Sequence, residues 1–381
     1  MKRGNLLMAS NYSSDTAYAW WLMEFFWLIL SDRPAFRTTY LAYPEIKSVP
    51  TAIARSSINT VELDFTAKDK AQFQEICQFI KSKNVKCLYL TDQPYFSWRY
   101  IAYRLAGVKQ IIVHDHTPGD RPSIDGIKGF LKALRNRLPM VTADVVFNVS
   151  PLMRRRSILN GRIPSQKCVS IQNGIDVKAP EDRLTTKNAE QSVREELGLP
   201  ADAVVVVTAS RLQAYKQVDF AIRTFVRALS RTTQNLHFVI IGNGPDEDQF
   251  KNMPESLENS SRIHFLGYRK DVPKILADSD IAIHCARGEG FSLSIIEYMY
   301  QKLPVLVPDT PSVCQALEHR ENGLVYKAGD LDSATSSLLE LVEDANLRQT
   351  MGQNAQVACL GRYTIDQTRR QFIEALEAFG I

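Results

Sequence analysis

Nine short runs rich in β-branched and aliphatic residues punctuate this chain of 381 residues, at 6–9, 87–91, 110–114, 145–149, 204–208, 237–241, 263–267, 281–285 and 304–307. Between them apolar residues recur at helical spacing. Strands that are apolar along their whole length are covered on both faces, the habit of parallel sheets flanked by helices. An α/β chain is therefore expected. Its length exceeds one comfortable core, so two domains are expected. The polar stretch 176–188, with Pro180, Asp182, Thr185 and Thr186 and no apolar period, marks the boundary between them. The expected division is 1–185, then 186–362, then a terminal helix over 363–381. That helix carries Ile365, Phe372, Ile373 and Leu376 as buried candidates and is expected to pack back on the first domain.

Composition excludes several classes. The six cysteines have no C-x-x-C spacing and lie largely inside apolar runs, so they read as reduced core residues and favour a cytoplasmic setting. A formal net charge of +4, dispersed along the chain, is too small to call for nucleic acid as a partner. The apolar run 17–30 holds Trp20, Trp21 and Trp27 but is interrupted by Glu24, and it falls short of the ~20 residues of a membrane span. No small-residue cleavage site follows it, so it does not read as a signal peptide, and a mature N-terminus is expected.

The densest chemistry lies at 288–299, Gly-Glu-Gly-Phe-Ser-Leu-Ser-Ile-Ile-Glu-Tyr-Met. The run before it reads as a strand. Ile296, Met299 and Tyr300 recur at helical spacing, so 288–292 forms the loop between strand and helix. A helix start offers unpaired amides and a partial positive charge suited to a diphosphate, and a carboxylate one turn in can accept from sugar hydroxyls. Glu289 and Glu297 are the two carboxylates. Another loop, Ala-Ser-Arg-Leu-Gln-Ala-Tyr-Lys at 209–216, puts Arg211 and Lys216 at the carboxyl end of a parallel strand, where ligands bind in such sheets. A guanidinium can grip phosphate oxygens through two donors and an ammonium adds a point charge; alone, the pair reads equally as two solvated charges. Gly242-Asn-Gly-Pro245 is a tight turn that brings backbone against either a ligand or a neighbour. Tyr268 and Arg269, after the strand at 263–267, stand where a nucleotide base could be flanked, or in a plain surface loop.

In order along the chain, Arg211-Leu…Lys216, Gly242-Asn-Gly-Pro245, Gly267-Tyr…Asp271-Val-Pro273, Glu289-Gly-Phe…Glu297, Pro304-Val and Glu321-Asn-Gly-Leu324 resemble the retaining glycosyltransferases of family 4, which have the GT-B fold. Upstream, the run 171–176, Ile-Gln-Asn-Gly-Ile-Asp, resembles that family's interdomain signature. The resemblance is to members that build bacterial polysaccharides and lipid-linked glycans. It implies two Rossmann-like domains facing a deep interdomain cleft, and a hexosyl unit moved from a UDP-, GDP- or other nucleoside diphosphate sugar to a glycan or lipid-linked acceptor. By this resemblance Glu289 approaches the donor sugar, Glu297 holds the ribose, and Arg211 and Lys216 bind the diphosphate. Ser292, Leu293 and Ser294 complete the phosphate site at the helix start, with Gly290, Phe291, Tyr268, Arg269 and Gly242 also around the donor. His114, at the end of the strand 110–114, is placed near the donor's sugar, with packing beneath a loop as its competing reading. Three positions depart from the family pattern: Ser292 and Lys302 stand where glycine is usual, and Tyr298 where alanine is usual.

The loop 10–16 lacks the paired glycines common in the family, leaving Ser13, Ser14 or Thr16 as substitute donors or plain caps. Asp278-Ser-Asp280 precedes a strand rather than following one, so it reads as a turn, and neither metal nor cofactor is expected. The segment 126–138 surrounds Ile127, Phe130, Leu134 and Leu138 with Lys128, Lys132, Arg135 and Arg137 and holds no acid. That is the look of an interfacial helix in peripheral contact with an anionic inner membrane face, or of a solvated basic face over an ordinary core helix. The rival readings are an epimerase of the same fold and a non-catalytic binding subunit; a dinucleotide-dependent oxidoreductase lacks its G-x-G-x-x-G fingerprint.

Overall fold

The computed structural model describes residues 4–15, 20–119, 122, 124–177 and 192–381, with the side chains of Trp20, Pro254 and Ser256 left aside. The boundary expected at residue 185 lies outside the described residues, as does Thr16. Two compact units emerge. The first takes the described residues of Met1–Thr117, Arg121–Ile171 and Gln371–Ile381, and the second those of Pro118–Asp120 and Gln172–Arg370.

In the first unit seven parallel strands lie in the order β3-β2-β1-β4-β5-β6-β7. They are β1 (Gly4–Ala9), β2 (Phe36–Tyr43), β3 (Asn59–Glu62), β4 (Val85–Thr91), β5 (Gln110–Asp115), β6 (Val145–Asn148) and β7 (Cys168–Ser170). The central strands are buried nearly end to end, as their apolar runs predict, whereas β3 at the edge is exposed at both ends. The apolar run at the N-terminus becomes the helix Trp20–Ser31, whose Phe26 and Trp27 are fully buried; Trp27 packs edge-on to Tyr43.

The second unit holds six parallel strands in the order β10-β9-β8-β11-β12-β13. Their ranges are β8 (Val204–Ala209), β9 (Leu236–Ile241), β10 (Ile263–Gly267), β11 (Ile281–Ile283), β12 (Val305–Pro308) and β13 (Gly323–Tyr326). Its core joins Val206, Phe238, Ile240 and Leu306 of the sheet to Phe225 and Leu338 of the covering helices. The signature at 171–176 has a packing reason. A side chain on Gly174 would meet the Thr364 carbonyl at 2.5 Å. Ile175 exchanges backbone hydrogen bonds with Tyr363 and Ile365. Glycine there lets two segments far apart in sequence touch.

Four strands, β2, β3, β7 and β13, were not expected from the sequence. Three of them have three or four residues, too few to show a period, and Phe36–Tyr43 opens with a mixed Phe-Arg-Thr-Thr run.

Candidate donor site

The loop after β11 and the helix Leu293–Tyr300 hold the two glutamates. Ser292 sits at the N-cap with φ −74° and ψ 114°, and its Oγ accepts from the Ile295 amide at 3.5 Å. A negative φ is open to any L residue, so serine replaces the family's glycine without strain while adding a cap. The amides of Leu293 and Ser294 fall in the first turn, where a helix has no acceptors of its own to offer.

Glu289 is 7% exposed. Its Oε1 accepts from Lys216 Nζ at 2.5 Å and from His284 Nε2 at 2.7 Å, and its amide donates to Ser312 Oγ. Burial alone would raise this carboxyl, but the Lys216 ammonium and the His284 hydrogen bond outweigh it and hold it down at about 2. Lys216 therefore lies against Glu289. Glu297 has the opposite environment: half-buried and without a hydrogen bond to its carboxylate among the described residues, it is pushed up to about 7 by burial. A desolvated carboxyl lacking an internal partner is one that a ligand's hydroxyls can satisfy.

Positioning of Arg211 and Lys216 comes from the glycine turn beside them. The Leu212 amide donates to Asn243, the Asp246 amide to Leu212, and Asp246 Oδ2 accepts from the Ala214 amide at 2.6 Å. A side chain on Gly242 (φ +126°) would strike the Ser210 carbonyl at 2.0 Å, and one on Gly244 the Leu212 carbonyl at 2.2 Å. Of the two uses open to this turn, neighbour contact is the one seen. Arg211 is exposed on the loop so held. Tyr298, the alanine-to-tyrosine departure, is fully buried, and its hydroxyl accepts from the Ala209 amide and donates to the Ala209 carbonyl, fastening this helix to the end of β8.

Other expected residues stand elsewhere. Arg269 is taken up by two bidentate pairs, with Glu196 and with Asp271. Tyr268 remains exposed, Phe291 is buried against the Tyr363 ring, and the Gly290 carbonyl accepts from Gln315. His114 is engaged in the packing of the first unit. It is fully buried in the first unit, with Nδ1 against the Tyr89 hydroxyl and its ring among Phe26, Phe147 and Phe372. Burial holds it well below the usual histidine range. Ser14 accepts from the Lys47 and Ser48 amides and so serves a neighbouring loop. Asp278 and Asp280 bind Ser192, Val193 and Arg194, a structural use for both carboxylates. His284 is the site residue sequence reasoning missed; its signal was a histidine in an otherwise apolar run, Ile-Ala-Ile-His-Cys.

The helix Gly126–Arg135 of the first unit has inverted polarity. Its inward contacts are polar: Gly129 abuts the Ile124 carbonyl, Lys132 donates to Asn160, and Asn136 donates to Gly161. Its apolar residues face out, with Ile127 79%, Phe130 69% and Leu134 54% exposed. Leu131, Leu138 and Met140 extend the patch. Arg135 lies 4.2 Å over the Phe96 ring, which in turn packs on the exposed Trp98. Lys128 and Arg137 are exposed beside them. A pocket of about 470 Å³ opens on the inner side, lined among others by Asp92, Tyr95, Thr117, Lys132 and Asn136. No helix among the described residues is long and apolar enough to cross a membrane.

Residues 189–358 match the family model described as glycosyl transferases group 1. That match spans the six strands of the second unit, the two glutamates and the Arg211 loop. N-acetyl-alpha-D-glucosaminyl L-malate synthase of Bacillus anthracis is 21% identical over 209 residues, 55% of this chain and 53% of that protein. Alpha-monoglucosyldiacylglycerol synthase of Acholeplasma laidlawii is 23% identical over 190 residues, 49% of this chain and 47% of that one. The chain thus matches about half the length of these curated relatives. Anabaena HepE, solved in complex with UDP and glucose, superposes with a TM-score of 0.73 at 18% identity, covering 99% of this chain and all of that one. The architecture is the GT-B fold.

Proposed function

We propose that this chain is a retaining glycosyltransferase of the family 4 type, moving a hexosyl unit from a nucleoside diphosphate sugar to an acceptor hydroxyl in cell-surface glycan or glycolipid assembly. The observation that carries this reading is the contrast between Glu289, fixed by Lys216 and His284, and Glu297, half-buried with its carboxylate unpartnered among the described residues, flanking one capped helix start. Glu297 accepts from the ribose hydroxyls, which supply the hydrogen bonds it lacks. The first amides of the helix, Arg211 and Lys216 take the diphosphate and stabilise the charge that grows as it leaves. Those donors do the work a divalent ion would do, so transfer needs no metal. Glu289 orients the sugar for attack. The neighbours point the same way: HepE is solved with UDP and glucose, and the Acholeplasma relative is named for a glycolipid product.

The acceptor reading rests on the first unit. Its outward apolar helix ringed by Lys128, Arg135 and Arg137 fits an anionic membrane face on the cytoplasmic side, and the pocket behind that helix, with both carboxylates and cations in its wall, suits a polar sugar headgroup. A panel of nucleotide sugars, scored for release of nucleoside diphosphate with and without membrane lipid extract and with a chelator present, tests the whole reading. Release with one donor that rises with lipid and survives chelation is the expected result. No thermal stabilisation by uridine, guanosine or adenosine diphosphate would sink it, and donor conversion without acceptor would favour an epimerase.

A further inference from the structure

His284 stands one residue past β11 and is 2% exposed. A buried imidazole is costly unless bonded. Its Nε2 lies 2.7 Å from Oε1 of Glu289, while its Nδ1 is buried with no hydrogen-bond partner among the described residues. A hydrogen on Nδ1 would be stranded, so the neutral ring carries its proton on Nε2 and donates to the carboxylate. Burial acts in the same direction, lowering the affinity of the ring for a second proton.

Lys216 shares that carboxylate oxygen, and the shared oxygen sets up a conflict. In the donor-site reading on which this inference rests, the ammonium is also wanted by the diphosphate. If it turns to phosphate, Glu289 loses one of its two donors at the moment the sugar must be aligned. We infer that His284 is a positioning residue that keeps the Glu289 carboxylate in register when Lys216 moves to the donor's diphosphate. Oε1 stays bonded to the ring, and Oε2, which makes no hydrogen bond among the described residues, is left to receive the sugar hydroxyls. Without the imidazole, a buried anion with no remaining side-chain donor would rotate or take up a proton, and either change misplaces the group that orients the sugar. Small misplacements of such groups cost on the order of 10²-fold in rate.

The test compares His284→Leu and His284→Gln with the wild type in three measurements: transfer kinetics, affinity for nucleoside diphosphate with and without its sugar, and melting temperature. Leucine keeps the volume and removes the donor. Glutamine carries an amide nitrogen at about the reach of Nε2. His284→Leu is expected to lose roughly 10- to 100-fold in kcat, and to bind nucleotide sugar little better than the bare diphosphate. Its affinity for the diphosphate itself stays within about twofold. His284→Gln is expected to recover most of both losses. Should the leucine variant fail to fold, His284→Asn, whose amide is too short to reach Glu289, takes its place. A leucine or asparagine variant with wild-type kcat overturns the inference, as does a parallel loss of diphosphate affinity and melting temperature that glutamine does not rescue. A wild-type protein that binds no nucleoside diphosphate overturns the donor-site reading instead, before any variant is made.

Discussion

Lys302 occupies the left-handed position that ends the Leu293–Tyr300 helix, with φ +60°, and its amide donates to the Met299 carbonyl. Holding a side chain there costs about 1–2 kcal/mol against glycine, less what glycine loses in the unfolded chain. Lys302→Gly is therefore expected to stabilise the protein by roughly 0.5–1 kcal/mol in urea unfolding, and an unchanged or lower midpoint would contradict this account. Glu297 gives a pH signature. Its folded value of about 7 lies above the 4.5 of an ordinary glutamate, so the protonated acid is the form folding favours. That contribution is complete below about pH 4.5 and is lost as pH rises through 7. Relative to wild type, Glu297→Gln should gain stability steadily between pH 5 and 8, by roughly 2–3 kcal/mol in total, when unfolding is followed across that range. A pH-independent difference between the two would mean the carboxyl is not desolvated. The same variant should bind nucleoside diphosphate more weakly, because an amide cannot accept from two ribose hydroxyls as a carboxylate does.

The helix Gly126–Arg135 carries the prediction at the level of elements. Ile127, Phe130 and Leu134 are more than half exposed, so replacing all three with serine removes little buried surface. The triple variant is expected to keep its melting temperature within a degree or two, and to lose sedimentation with vesicles containing phosphatidylglycerol, as wild type should on vesicles of phosphatidylcholine alone. Binding that persists in the triple variant, or a concentration-dependent dimer in place of vesicle binding, would defeat the membrane assignment. The residues of this helix are legible in the sequence, but its orientation is not. Apolar and basic positions alternate closely enough that either face could turn inward, and the decision lies with Gly129 and Asn136, whose contacts at Gly161 and Arg162 are tertiary. The same distinction runs through the site. Glu289, Glu297, Arg211 and the Ser292 cap sit within local patterns that sequence displays. The bond from Lys216 to Glu289 spans 73 positions, and the enclosure of His114 depends on Phe26 and Phe372 arriving from both ends of the chain. Strand β5 looked alike in either case, because a strand terminus open to ligand and one capped by aromatic rings have the same local sequence.

For the whole molecule, the informative fact is that the chain enters the second unit near residue 172 and gives its last segment, Gln371–Ile381, to the first. Phe372 and Leu376 of that segment are fully buried. Phe372 packs against Phe26 with ring centroids 4.8 Å apart and against Phe147 at 5.6 Å, while Arg33 donates to the Ile381 carbonyl. The core of the first unit is thus closed by residues that follow the second unit in the chain, so it cannot be completed until the second has been made. Phe372→Ala removes an aromatic ring from a closed packing and is expected to cost about 3–5 kcal/mol. The loss should be local to one unit, because the second unit has its own core around Phe225, Phe238 and Leu338. Hydrogen exchange separates the possibilities: amides of β4, β5 and β6 should exchange faster in Phe372→Ala, those of β8, β9 and β12 at the wild-type rate, and uridine diphosphate or whichever nucleoside diphosphate binds should still protect the loop at 209–216 and the helix after Ser292. Faster exchange throughout both sheets would instead make the two units a single cooperative block, and the donor site could then be damaged from a position that touches none of its residues.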